Sequence, residues 1–206
     1  MYALVEDNEI TKLINNPKAM VIGDVQYPAK IFQLWSTSEL EAKGIYEVVF
    51  DNSNFKDEQW YINTNQSFAF ADGTVTASYG TATAKAHADS LWTQDEIDDG
   101  DAPEGTSPGD VKTRGLKYNL IKDLKITVAN ILAETDWYIT RNTEKSTAIP
   151  SAISTHRDAV RTKQAEMETA ITNASDTPAL ETLYTYTTDS DGVQSRPLGE
   201  LPTLES

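Results

Sequence analysis

Groups able to perform acid–base, nucleophilic or metal chemistry are few and scattered in this chain. It carries two histidines, His87 and His156, and no cysteine. Neither histidine has a second ligand at helical spacing, so a zinc site lacks its donors, and without a thiolate there is no cysteine nucleophile and no disulfide. His156 lies among apolar residues at helical spacing, where a packed imidazole is expected. The densest set of ligating atoms is acidic: Asp95, Glu96, Asp98, Asp99 and Asp101, within DSLWTQDEIDDGDAPEGTSPG. Hard carboxylate oxygens suit calcium, but the alternating acids, central Gly and terminal Glu of an EF-hand loop are not in order here. The GxSxG, Walker, dinucleotide and HExxH patterns are absent. Carboxylates are so abundant that no acid–base pair stands out. What remains is Arg141, Arg157 and Arg161 with Asp136 and Glu144, expected as an ion-pair network that joins two helices. The expectation is a chain with no cofactor and no metal, in which no catalytic signature is written.

The elements around these residues change character along the chain. Residues 1–88 read as a small antiparallel β domain. Asp7-Asn8 suits a tight turn between residues 2–5 and 9–14, and Gly23-Asp24 a second one. Ser36 or Thr37 is placed to cap a short helix closed by Gly44, before the strand Ile45–Phe50. Trp60, Ile62, Phe68 and Phe70 fall in two alternating runs, and Ala71-Asp72-Gly73-Thr74 supplies the turn before Val75, Ala77 and Tyr79. Residues 89–110 mix acids with Gly, Pro and Ser, the composition of a linker.

From residue 111 the period becomes helical. Leu116, Leu120, Leu124, Val128 and Ile131 recur at three- and four-residue steps, which predicts a helix of about five turns. Lys117 and Lys125 make this the least acidic part of the chain and a docking face for an acidic partner. Asp136 is expected to cap a short helix, with Trp137 packed back as an anchor. Pro150 breaks the chain and starts the next helix, whose Ile153, His156, Val160, Gln164, Met167 and Ile171 form one stripe. Arg157 and Arg161 are expected as tethers between the helices. Residues 111–183 thus form a helical hairpin domain, and 184–206 a β-hairpin followed by an extended arm. Leu198, Leu201 and Leu204 of that arm are expected to dock on a neighbour. The fold class is α+β.

Formal net charge is −15 over 206 residues, with 39% hydrophobic and 9% aromatic content. Such a surface repels phosphate backbones, so nucleic acid is not the expected partner. No run of 18 or more apolar residues is present, so no membrane span is expected.

TDWYITR (Thr135–Arg141), Ile149-Pro150 and HRDAVR (His156–Arg161) carry a resemblance. Here the chain resembles bacteriophage tail proteins, among them tail-fibre assembly and tail-accessory proteins that end in a helical domain patterned L-x-x-T-D-W-Y … I-P … R-x-x-V-R. The opening MYALV followed by sheet is similar in style. The resemblance implies a non-enzymatic tail component made in the host cytoplasm and resident in the virion tail. Its implied partners are other tail or fibre proteins, in a homo-oligomer. Two alternatives stay open: an assembly chaperone that leaves before maturation, and a carbohydrate-binding module using Trp60, Tyr61, Phe68 and Tyr79.

Overall fold

The structure, a computed structural model, describes residues 1–204. The last two residues of the expected arm, Glu205 and Ser206, lie outside the described residues. The fold is mixed α+β, with a curled N-terminal sheet and a C-terminal helical region. The chain forms two compact units, Met1–Thr83 and Ala84–Ser206.

The first unit contains β1 (Tyr2–Glu6), β2 (Glu9–Ile14), β3 (Met20–Ile22), β4 (Val25–Tyr27), α1 (Ile31–Leu34), α2 (Thr37–Glu41), β5 (Ile45–Asp51), β6 (Tyr61–Ile62), β7 (Ser67–Ala71) and β8 (Thr74–Ser78). Asp7 and Asn8 both adopt the left-handed conformation, which matches a two-residue turn to the twist of β1 and β2. Ser36 caps α2 as a capping box: its hydroxyl accepts the Glu39 N–H, and the Glu39 carboxylate accepts the Ser36 N–H at 2.8 Å. Those hydrogen bonds hold the Glu39 carboxyl below its ordinary pKa.

The main sheet has the order β2-β1-β5-β8-β7. It differs from the expected all-antiparallel domain at its centre. β5 and β8 run parallel, with Val48 opposite Val75 and Asp51 opposite Ser78. The β7–β8 hairpin, turned at Asp72-Gly73, returns so that its second strand rather than its first abuts β5. Alternation within a strand reports which face is buried, never which strand lies alongside. β1 is buried on both faces. Ala3 and Val5 join Val48, Val75 and Ala77 on one side, with Phe68 and Phe70 against them. Leu4 joins Ile14, Met20, Ile31, Leu40 and Ile45 on the other, covered by Tyr27, Phe32 and Trp35. A strand covered on both sides needs the near-continuous apolar run YALV.

After β9 (Thr83–Ala84), the second unit contains β10 (Ser90–Leu91), α3 (Gln94–Asp98), β11 (Val111–Thr113), α4 (Leu116–Ala133), α5 (Asp136–Lys145), α6 (Ser151–Asn173), α7 (Thr177–Tyr184), β12 (Thr187–Thr188) and β13 (Gln194–Ser195). The acidic stretch expected as a linker over 89–110 lies inside this unit. β10 pairs with β11, and Thr93 with Glu96 forms a capping box at the start of α3. Lys112 closes the loop by reaching Glu96 at 2.6 Å while sitting 4.4 Å above the Trp92 ring. One lysine and one hydroxyl therefore organise a segment whose composition alone reads as unstructured.

The Lys112 hydrogen bond, followed by those from the Thr93 N–H and hydroxyl, lowers the Glu96 pKa to about 2 from an unfolded value near 4.5. A depressed carboxyl stabilises above its unfolded pKa and loses that contribution as pH falls through the folded one. Acidification from about 4.5 to about 2 should therefore open this loop. Amide exchange at residues 93–98 should rise across that window, and a Glu96→Gln variant should show no such step. An equal rise in both proteins would sink the assignment.

α4 and α6 pack antiparallel: Lys117 reaches the Thr172 carbonyl at 2.8 Å near one end, and Arg157 reaches the Leu132 carbonyl near the other. Leu124 and Val128 of α4 face Ile153, Val160, Met167 and Ile171 of α6 in the core. Pro150 is the cap residue just before α6, at φ −58° and ψ 139°, so it precedes the first helical turn rather than lying in it. Asp176 caps α7 by accepting the Ala179 N–H at 2.8 Å. The terminal hairpin is shorter than expected, because Tyr184 belongs to α7.

Candidate functional site

The corner between α4 and α5 is built around one guanidinium. Thr135 breaks the helical path at φ −114°, ψ 5°, which leaves the last carbonyls of α4 without intrahelical partners. Arg157, only 7% exposed, donates from Nη1 to the Leu132 carbonyl and to Thr135 Oγ1, both at 2.6 Å. Its Nη2 donates to Asp136 Oδ1 at 2.8 Å. The Thr135 hydroxyl in turn donates to the Leu132 carbonyl at 3.1 Å. Every group here is engaged within the corner, with the Leu132 carbonyl, the Thr135 hydroxyl and the Asp136 carboxylate all held by Arg157. Arginine stays charged at all working pH values and is a poor proton carrier, so the cluster is a brace.

Several expected roles change at this corner. Asp136 is the first residue of α5, and its exposed carboxylate bonds Arg157 rather than capping the first-turn amides. Arg161 pairs with Asp158 on its own helix at 3.3 Å, and among the described residues it tethers no second helix. Trp137 is 51% exposed and is no packing anchor. Its ring lies 3.8 Å from that of Tyr138, and the Arg141 guanidinium sits 4.7 Å above it. No α5 residue is fully buried, and Tyr138, Arg141 and Asn142 are half-buried. The period that places Trp137 on an inner face assumes a partner helix that this unit does not supply.

The expected docking residues are also used internally. Lys117 holds the Thr172 carbonyl, and Lys125 reaches Glu168 at 3.4 Å. Leu198 is 3% exposed, and its N–H donates to the Leu183 carbonyl at 3.0 Å, so the start of the arm packs on its own α7. Leu201 is half-buried and Leu204 exposed. In the first unit Trp60 and Tyr61 are buried, and so present no ring face to a sugar.

The surface left open on α4 shares only Lys125 with those residues. Tyr118, Ile121, Lys122, Lys125, Ile126 and Ala129 line a groove of about 490 Å³ along its outer side. They follow helical spacing, offset from the buried stripe. The signal was present in the sequence: α4 carries more apolar positions than one stripe can bury, with Tyr118 and Ile126 off the Leu124–Val128 line. Among the described residues, no group of three His, Cys, Asp or Glu side chains is placed to hold a metal ion, and no helix is long and apolar enough to cross a membrane.

Comparison with protein-family models, with curated proteins and with solved structures finds no match for this chain. Its function is argued from its own residues.

Proposed function

We propose that the protein is a non-enzymatic structural subunit of a phage tail, at a fibre or baseplate attachment, acting through protein–protein contacts. The observation that carries this reading is the open face of α4, a three-turn apolar groove with lysines on a strongly acidic chain. Such a face suits a helix laid into a groove. The residues behind the tail-protein resemblance support it: Thr135, Asp136 and Arg157 form a brace, while Trp137 stands exposed beside the half-buried Tyr138 and Arg141. Trp, Tyr and Arg are the types that dominate interface energies.

The alternative is an assembly chaperone that binds a fibre transiently and leaves. It draws on α5, a helix with no fully buried residue, whose Trp137 and Ile139 are exposed to a client. Mass spectrometry of purified particles separates the two. Recovery in fixed proportion to the other tail proteins is expected, and absence from mature particles would overturn the structural reading in favour of the chaperone.

A further inference from the structure

We infer that the α4 groove is a self-association surface, which receives the outer face of α6 from a second copy of this chain and closes a ring. Ring formation is independent of whether the protein works in a phage tail.

Charge argues for the occupant first. Lys122 lies in the groove with no ionic partner among the described residues, on a chain of net charge −15. An occupant that buries this ammonium must bring a carboxylate, since an unpaired charge in an apolar contact is costly. The outer side of α6 offers one. Thr162, Ala165, Glu166, Thr169 and Ala170 line a second shallow groove there, and Glu166 is exposed, paired loosely with Lys163 at 3.3 Å.

Shape argues the same way. The α4 face is bulky, with Tyr118, Ile121 and Ile126 projecting. The α6 face is small, with Ala165, Thr169 and Ala170. Large side chains from one helix fill the grooves that small residues leave on another. Like faces do not match. Setting α4 on α4 confronts Lys122 and Lys125 with the same lysines, and α6 on α6 confronts Glu166 with itself. Like charges across an interface are penalised strongly.

The two faces also match in length. Tyr118 to Ala129 spans about 17 Å of helix, and so does Thr162 to Asn173 along the outer side of α6. One such crossing buries less than the ~1,600 Å² of a standard interface. A face of one kind meeting a face of another kind is a heterologous contact, which closes into a ring or runs on as a filament. In a ring every copy uses both faces, which doubles the area that holds it.

Sedimentation velocity on the full chain tests this directly. The expected result is a concentration-dependent shift from monomer to a closed species whose mass is a small whole multiple of the chain. Lys122→Glu and Glu166→Lys should each weaken association at least tenfold, and the double variant K122E/E166K should recover it. Ile121→Asp should disperse the ring in either background. Lys122 and Glu166 are exposed, whereas Ile121 is half-buried beside Leu124, so circular dichroism must first show that each variant keeps its helix. Tyr118→Ser replaces any variant that loses it. A monomer at every concentration overturns the inference. So do single charge reversals that change nothing, or a double variant that stays dispersed. Association insensitive to residue 166 would place the occupant elsewhere.

Discussion

Replacing Arg157 with Ala should destabilise the helical unit by about 3 kcal/mol, read as a lowered urea midpoint followed by circular dichroism. The buried guanidinium serves three acceptors at once: the Leu132 carbonyl, Thr135 Oγ1 and Asp136 Oδ1. Its removal takes one donor from the Leu132 carbonyl, which keeps the Thr135 N–H and hydroxyl, and leaves the almost fully buried Thr135 Oγ1 without its guanidinium partner. A lost partner at a buried polar group costs more than the hydrogen bond contributed when made. Asp136→Asn is the control. Its carboxylate is exposed, so this change should cost under about 1 kcal/mol. Arg157→Lys should resemble Ala more than wild type, because one ammonium cannot span the fork that the guanidinium fills. Equal losses for Asp136→Asn and Arg157→Ala would show that the ion pair, and not the carbonyl bond, holds the corner.

Gly44→Ala should cost about 3 kcal/mol or more, with the loss confined to the first unit. Gly44 sits at φ +76°, where a side chain is strained, and a Cβ there would collide with the Val5 carbonyl oxygen of β1. That oxygen cannot move away freely, since the Val5 N–H is fastened to the Gly44 carbonyl at 2.7 Å. Gly73→Ala isolates the two contributions. Its φ of +74° is nearly the same, but nothing lies within 4 Å of the added carbon, so only the conformational cost of roughly 1 kcal/mol applies. Guanidinium unfolding of the two variants side by side decides the matter. Equal losses would mean that the close approach to β1 contributes nothing.

The features legible in the sequence were those written in neighbouring residues. Asp7-Asn8, Gly23-Asp24 and Asp72-Gly73 mark turns because few residue types accept those backbone angles. The Ser36-Thr37 pair marks a helix start, with Ser36 the actual cap, and the stripes of α4 and α6 mark their buried sides. What escaped depends on residues far apart in the chain. The parallel pairing of β5 with β8 leaves no local trace. Lys117 and Lys125 read as free because their partners, the Thr172 carbonyl and Glu168, lie more than forty residues away. Leu198 read as a docking residue for the same reason, since its site on α7 is made only when the hairpin turns back. The acidic stretch read as a linker because composition does not reveal that Lys112 will close on Glu96.

The parallel β5–β8 pair also bears on how the chain must be made. β5 lies between β1 and β8 in the sheet, but β8 begins at Thr74, well after β5 ends at Asp51. During synthesis from the N-terminus, β1, β2 and β5 emerge together with one edge of β5 unpaired, and Val49 and Phe50 lie on that strand. An open edge of this kind recruits strands from other chains. A nascent or cleaved chain that ends between residues 52 and 73 is therefore the form most prone to aggregate, and delay over that interval is the hazard in producing this protein.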